Sequence, residues 1–121
     1  MTYPRSCLIR RIAWMSDTLN RIRDLVASGA VRVSDDGYDE LSKDNLTASE
    51  VIDGVADGEL IEDYPDFQKG PCVLVLQLGR AGSPLHVVWG IPKGADSPAV
   101  LVTAYRPDPD RWDVTFTRRR T

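Results

Sequence analysis

The sequence predicts one small α+β domain, with N-terminal helices packed on one face of a three- to four-stranded antiparallel β-meander. Three observations predict it. Apolar residues recur at helical spacing as far as Gly58 and at strand spacing after it. The strand-like runs are joined by short connections holding Gly and Pro, which favour hairpins over crossovers. A chain of 121 residues also suits one domain, because its halves would be too small to bury a good core.

The helices come first. Ser16-Asp17 offers an N-cap, followed by one apolar stripe of Leu19, Ile22, Leu25 and Val26, with Gly29 as the stop. Residues 30–33 read as a short strand. Ser34 then caps a second helix that is expected to turn Tyr38 and Leu41 inward and to end at Asn45. Thr47-Ala-Ser-Glu50 has the capping-box spacing, in which threonine and glutamate each satisfy the other's orphan N–H. Val51, Ile52, Val55 and Ala56 form the buried stripe of this third helix, closed by Gly58.

Strands are expected over 59–63, 72–78, 85–91 and 99–105. The run opening at Cys72 is the best central strand. It is interrupted at Gln77, far short of the roughly 20 apolar residues that cross a bilayer. Pro107 and Pro109 end regular pairing because neither can donate to a ladder. Val114-Thr-Phe116 is expected to add an edge segment. The domain therefore covers 16–112. Residues 113–121 form a basic tail, and residues 1–15 are expected to be a disordered leader or an over-long start. Arg10 and Arg11 break the only apolar stretch of that leader, which excludes a convincing signal peptide.

Net charge is −3, but its distribution is uneven. Between Ser16 and Gln68 four basic residues face fourteen acidic ones, whereas from Lys69 onward eight basic residues face four acidic ones. The helical half is thus acidic and the sheet half basic, so only the sheet is suited to meet phosphate. Cys7 and Cys72 show no metal-ligand spacing, and one histidine is too few for an ordinary structural zinc site. No metal and no cofactor is expected, and the cysteine usage suits a reducing cytoplasm.

No phosphate-binding glycine loop, nucleophile elbow or paired His/carboxylate spacing is present. His86 is the default proton-transfer residue because its ordinary pKa lies near neutrality. Alternation places it opposite Leu85, Val87 and Trp89, where a structural histidine is the commoner role. Arg80, Lys93 and Arg106 lie at strand ends or turns and have the charge to stabilise a phosphate, while Tyr105 can stack on a base. Solvated turn charges and a rim tyrosine are the plainer alternatives. Glu62-Asp63-Tyr64-Pro65-Asp66 is acidic, but neighbouring strand residues point to opposite faces and do not converge on a cation.

Several segments resemble the domain of unknown function 4258 family: Ser34-Asp-Asp-Gly-Tyr-Asp-Glu-Leu41, Leu46-Thr-Ala-Ser-Glu-Val51, Ile61-Glu-Asp-Tyr-Pro65, Gly70-Pro-Cys-Val-Leu74, Pro84-Leu-His-Val-Val88 and Val102-Thr-Ala-Tyr-Arg-Pro107. That family resembles small RelE/BrnT-like bacterial toxins. The resemblance implies a helical hairpin on an antiparallel sheet, metal-independent RNA cleavage by basic and tyrosine residues, and an antitoxin partner. His86, Tyr105 and Arg106 are then the catalytic candidates, with Arg80 and Lys93 as RNA phosphate ligands. Where many relatives carry a histidine, this chain has Asp36, which the dipole of a helix N-terminus favours. A non-catalytic protein-interaction module with the same fold is the alternative, binding through the acidic helices or a sheet edge.

Overall fold

The computed structural model describes residues 16–79 and 82–112. Helix α1 (Asp17–Ala27) starts where Ser16 Oγ accepts from the Leu19 N–H at 3.3 Å and donates to Asp63 Oδ2 at 2.7 Å. One hydroxyl thus both caps the helix and ties it to the sheet. Strand β1 (Val31–Val33) follows, then α2 (Asp35–Lys43). Ser34 Oγ accepts from the Gly37 N–H at 3.0 Å and donates to the Val102 carbonyl at 2.8 Å, which fixes α2 against the sheet.

The expectation that Tyr38 turns inward is corrected: it is 57% exposed. Gly37 and Leu41, four residues apart, form the buried face of α2 instead. A Cβ at Gly37 would lie 2.9 Å from the Leu101 carbonyl, so only glycine permits this approach. Helix α3 (Ala48–Asp53) carries the full capping box at Thr47 and Glu50. The chain then tightens into a 3₁₀ turn over Gly54–Asp57. That tightening breaks the 3.6-residue period, which keeps Val55 buried but leaves Ala56 exposed, contrary to the expected stripe.

Strands β2 (Glu59–Tyr64), β3 (Cys72–Leu78), β4 (Pro84–Gly90) and β5 (Ala99–Tyr105) form the antiparallel meander. The sheet is larger than expected and mixed. Its order is β1-β5-β4-β3-β2, and β1 runs parallel to β5, with Val31 beside Ala99 and Val33 beside Leu101. The long path from β1 through the helices and the meander supplies the crossover that a parallel pair requires.

The inner face carries Val73, Val75, Leu85, Val87, Trp89 and Leu101, packed under Leu19, Ile22, Leu41, Val51 and Val55. Leu74, His86 and Val100 are buried on the other face. This double burial explains the unbroken apolar run of β3, which an antiparallel strand with one wet face does not need. Beyond β5 the chain reaches Trp112, which is buried against His86. The expected segment at Val114–Phe116, the 1–15 leader and Arg80 lie outside the described residues. Among the described residues, no helix is long and apolar enough to cross a membrane.

Candidate functional site

His86 pairs with Leu76 on one side and Tyr105 on the other, and its exposure is 0%. The Trp112 ring meets it edge-on at 4.3 Å between centroids with an interplanar angle of 88°. Tyr105 adds a second edge contact at 5.6 Å and 71°. His86 and Tyr105 are therefore brought together, as adjacent positions on a sheet face must be. The imidazole is a covered part of the packing, and Tyr105 remains half-buried.

Of the described candidate cations, Arg106 follows Tyr105 directly but is engaged by other neighbours, and Lys93 lies apart. The Arg106 N–H donates to Asp44 Oδ2 at 2.9 Å, and its guanidinium donates to Ser83 Oγ at 3.0 Å and to the Asp44 carbonyl at 3.4 Å. It joins the end of β5 to the end of α2 and to the β3–β4 turn. Lys93 is exposed past the far end of β4, its N–H held by the Lys69 carbonyl at 3.2 Å. His86 and Gly90 are four positions apart along β4, about 13 Å at the usual rise, and Lys93 lies beyond that. Asp36 is exposed in the first turn of α2.

A second arrangement was not read from the sequence. The registers align Arg32, Val100, Gly90, Cys72 and Tyr64 in one row across all five strands on the outer face. At the middle of that row Gly90 contributes no side chain, and a cleft of about 410 Å³ lies there. Val88 and Val102 extend its floor, and the loop between β2 and β3 walls it with Phe67 and Lys69. Burial, and then the nearby Asp63 carboxylate, push the Cys72 thiol above its ordinary pKa, so this thiol stays protonated and unreactive near neutrality. An isolated glycine inside a strand was the available signal. Nothing in the sequence said which residues would flank it.

A cleft of about 440 Å³ lies between the first turn of α1 and the loop after β2, with Asp17, Asp63 and Arg21 mixing charges of both signs. Among the described residues, no cluster of three or more His, Cys, Asp or Glu side chains is placed to hold a metal ion.

Comparison with known proteins adds one finding. No curated protein and no solved structure matches the chain. A family match covers residues 33–106, from the end of β1 to just past β5. It leaves out α1 and Trp112, although both pack into the domain. Since that match spans more than half of the sequence, the chain belongs to the family described as Domain of unknown function (DUF4258).

Proposed function

We propose that the protein is a non-catalytic interaction module whose acidic helical layer engages a basic protein partner. The observation that carries this reading is that the chemistry-bearing residues among those described are covered, engaged or set apart. His86 is covered by Trp112, Arg106 is committed to Asp44 and Ser83, and Lys93 lies at the opposite end of the strand from His86. Metal-independent phosphodiester cleavage needs proton-transfer and cationic groups within reach of one phosphate. Among the described residues, which do not include Arg80, His86 is covered and Lys93 lies away from Tyr105 and Arg106, so these groups offer no single open face to a phosphate. By contrast, Asp35, Asp36 and Asp39 are exposed on α2 beside the exposed Tyr38 and make no ion pair among the described residues. Unneutralised charge of one sign around an aromatic ring suits steering and docking of an oppositely charged surface.

The competing reading is the RelE/BrnT-like ribonuclease toxin, with RNA as substrate and an antitoxin as partner. One experiment separates the two. The full chain is expressed in a bacterial host beside His86→Ala and Arg106→Ala, with growth and RNA integrity followed together. The interaction module leaves growth normal and RNA intact. It also retains a basic protein partner that is lost when Asp35, Asp36 and Asp39 are all changed to Lys. Growth arrest with RNA cleavage, relieved by His86→Ala in a folded protein, would overturn the proposal.

A further inference from the structure

We propose that the furrow across the outer sheet face at Gly90 is a binding site for a small molecule with an apolar body and a single anionic group, such as a medium-chain carboxylate.

Gly90 is the centre of the argument. Its backbone is not in the left-handed region, so the turn chemistry that usually demands glycine is absent. Packing does not demand it either. A Cβ built there finds the Pro71 carbonyl at 3.4 Å and the Cys72 and Val102 side chains at 3.6 Å, all ordinary contact distances. Gly70 next door is the opposite case, with φ at 121° and a Cβ that would collide with the Ile91 carbonyl. Gly90 closes β4 and is still paired on both sides, with Cys72 and Val100, and a glycine in a ladder gives up side-chain packing and chain entropy. At Gly90 its structural effect is to leave the floor of the cleft open between Cys72 and Val100.

Charge selects the head group. Arg32 and Lys69 line the cleft, no acidic residue does, and neither cation makes an ion pair among the described residues. This occurs in a chain that carries 18 carboxylates against 15 cations. Val88, Val100, Val102 and the half-exposed Phe67 offer the apolar body its contact surface. The volume of about 410 Å³ lies in the range of small-ligand pockets.

The backbone decides against a peptide. The floor is made by β3, β4 and β5; β3 and β4 are paired on both sides, and β5 is paired with β4 and, over Ala99–Leu101, with β1, so most of the N–H and C=O groups there are used within the sheet. A peptide lying over them would bring its own amides against side chains that cannot answer them, a costly burial. An amphiphile with one charged end has no such groups to satisfy.

The test uses the full chain carrying Cys7→Ser, so that Cys72 is the single thiol. Decanoate, decanol and decylamine are titrated below their aggregation concentrations and followed by calorimetry. In parallel, the rate of Cys72 alkylation is measured at alkaline pH, where the thiolate forms. Decanoate is expected to bind about tenfold or more tighter than the neutral and cationic homologues and to slow alkylation several-fold. Gly90→Val should abolish both effects. The double change Arg32→Glu with Lys69→Glu should weaken decanoate by about tenfold while leaving decanol unchanged. Because both charged positions are exposed, that variant remains informative even if Gly90→Val folds poorly. Equal binding of the three homologues, no protection of Cys72, or preferential binding of an acidic peptide over decanoate would each overturn the proposal.

Discussion

Gln77 places its amide between α3 and β4. Its Nε2 donates to the Val51 carbonyl at 2.6 Å, and its Oε1 accepts from Trp89 Nε1 at 2.9 Å. In sequence this residue reads as the polar interruption of an apolar strand. In the fold it is 2% exposed and supplies the partner that a buried indole N–H requires. Gln77→Leu keeps the approximate volume but leaves the Trp89 donor unanswered and removes the donor to Val51. The expected cost is about 2–3 kcal/mol, read as a lower urea midpoint at an unchanged slope. A loss below about 0.5 kcal/mol would mean that water replaces the amide. Arg106 teaches a related lesson. An arginine after a strand invites a phosphate-binding role, yet its hydrogen bonds to Asp44 and Ser83 give it a structural one.

Among the elements, α3 depends most on its ends. Six residues are too few for a helix to persist on propensity alone. Thr47 Oγ1 accepts from the Glu50 N–H at 3.2 Å, and Glu50 Oε1 accepts from the Thr47 N–H at 3.0 Å. Beyond its other end, Arg23 reaches across from α1 to the 3₁₀ turn that continues the helix and donates to the Val55 carbonyl at 3.3 Å and to the Gly58 carbonyl, just after that turn, at 2.7 Å. The helix is held by a local signal at its start, and the turn that follows it by a tertiary one. Thr47→Ala should cost about 1 kcal/mol, and amide exchange of residues in α3 should accelerate before that of the central strands. Uniform acceleration across the domain would show instead that α3 opens only with global unfolding.

For the molecule as a whole, the outer sheet face is closed in part from its own chain. Trp112, 4% exposed, lies over His86 and makes that side of the sheet a second, smaller packing layer. Trp112→Ala should destabilise the fold by about 3–5 kcal/mol. It should also open the imidazole to diethyl pyrocarbonate, which reacts with accessible histidine. Native wild-type protein should modify far more slowly than the same chain in denaturant. If native His86 reacts as fast as in the unfolded chain, the covered arrangement fails, and proton transfer by this residue regains its standing.

The order of helices and strands was legible from 16 to 105 because it rests on local chemistry. Caps at Ser16, Ser34 and Thr47, the stripe through Leu19 and Ile22, and the change of period after Gly58 each act within a few residues. The acidic and basic halves of the chain were equally plain, but the fold puts part of the acidic half in the sheet, as Glu59, Glu62 and Asp63 of β2. Long-range pairing was not. That β1 joins β5 in parallel depends on contacts some seventy positions apart, and a three-residue strand carries no mark of its partner. Alternation put His86 on the outer face, but the distant Trp112 decided whether that face was wet. The row from Arg32 through Gly90 to Tyr64 is set by register alone. Local sequence determines what each strand presents on its faces. Only the tertiary structure determines which strands lie side by side, and so which side chains can act on one ligand.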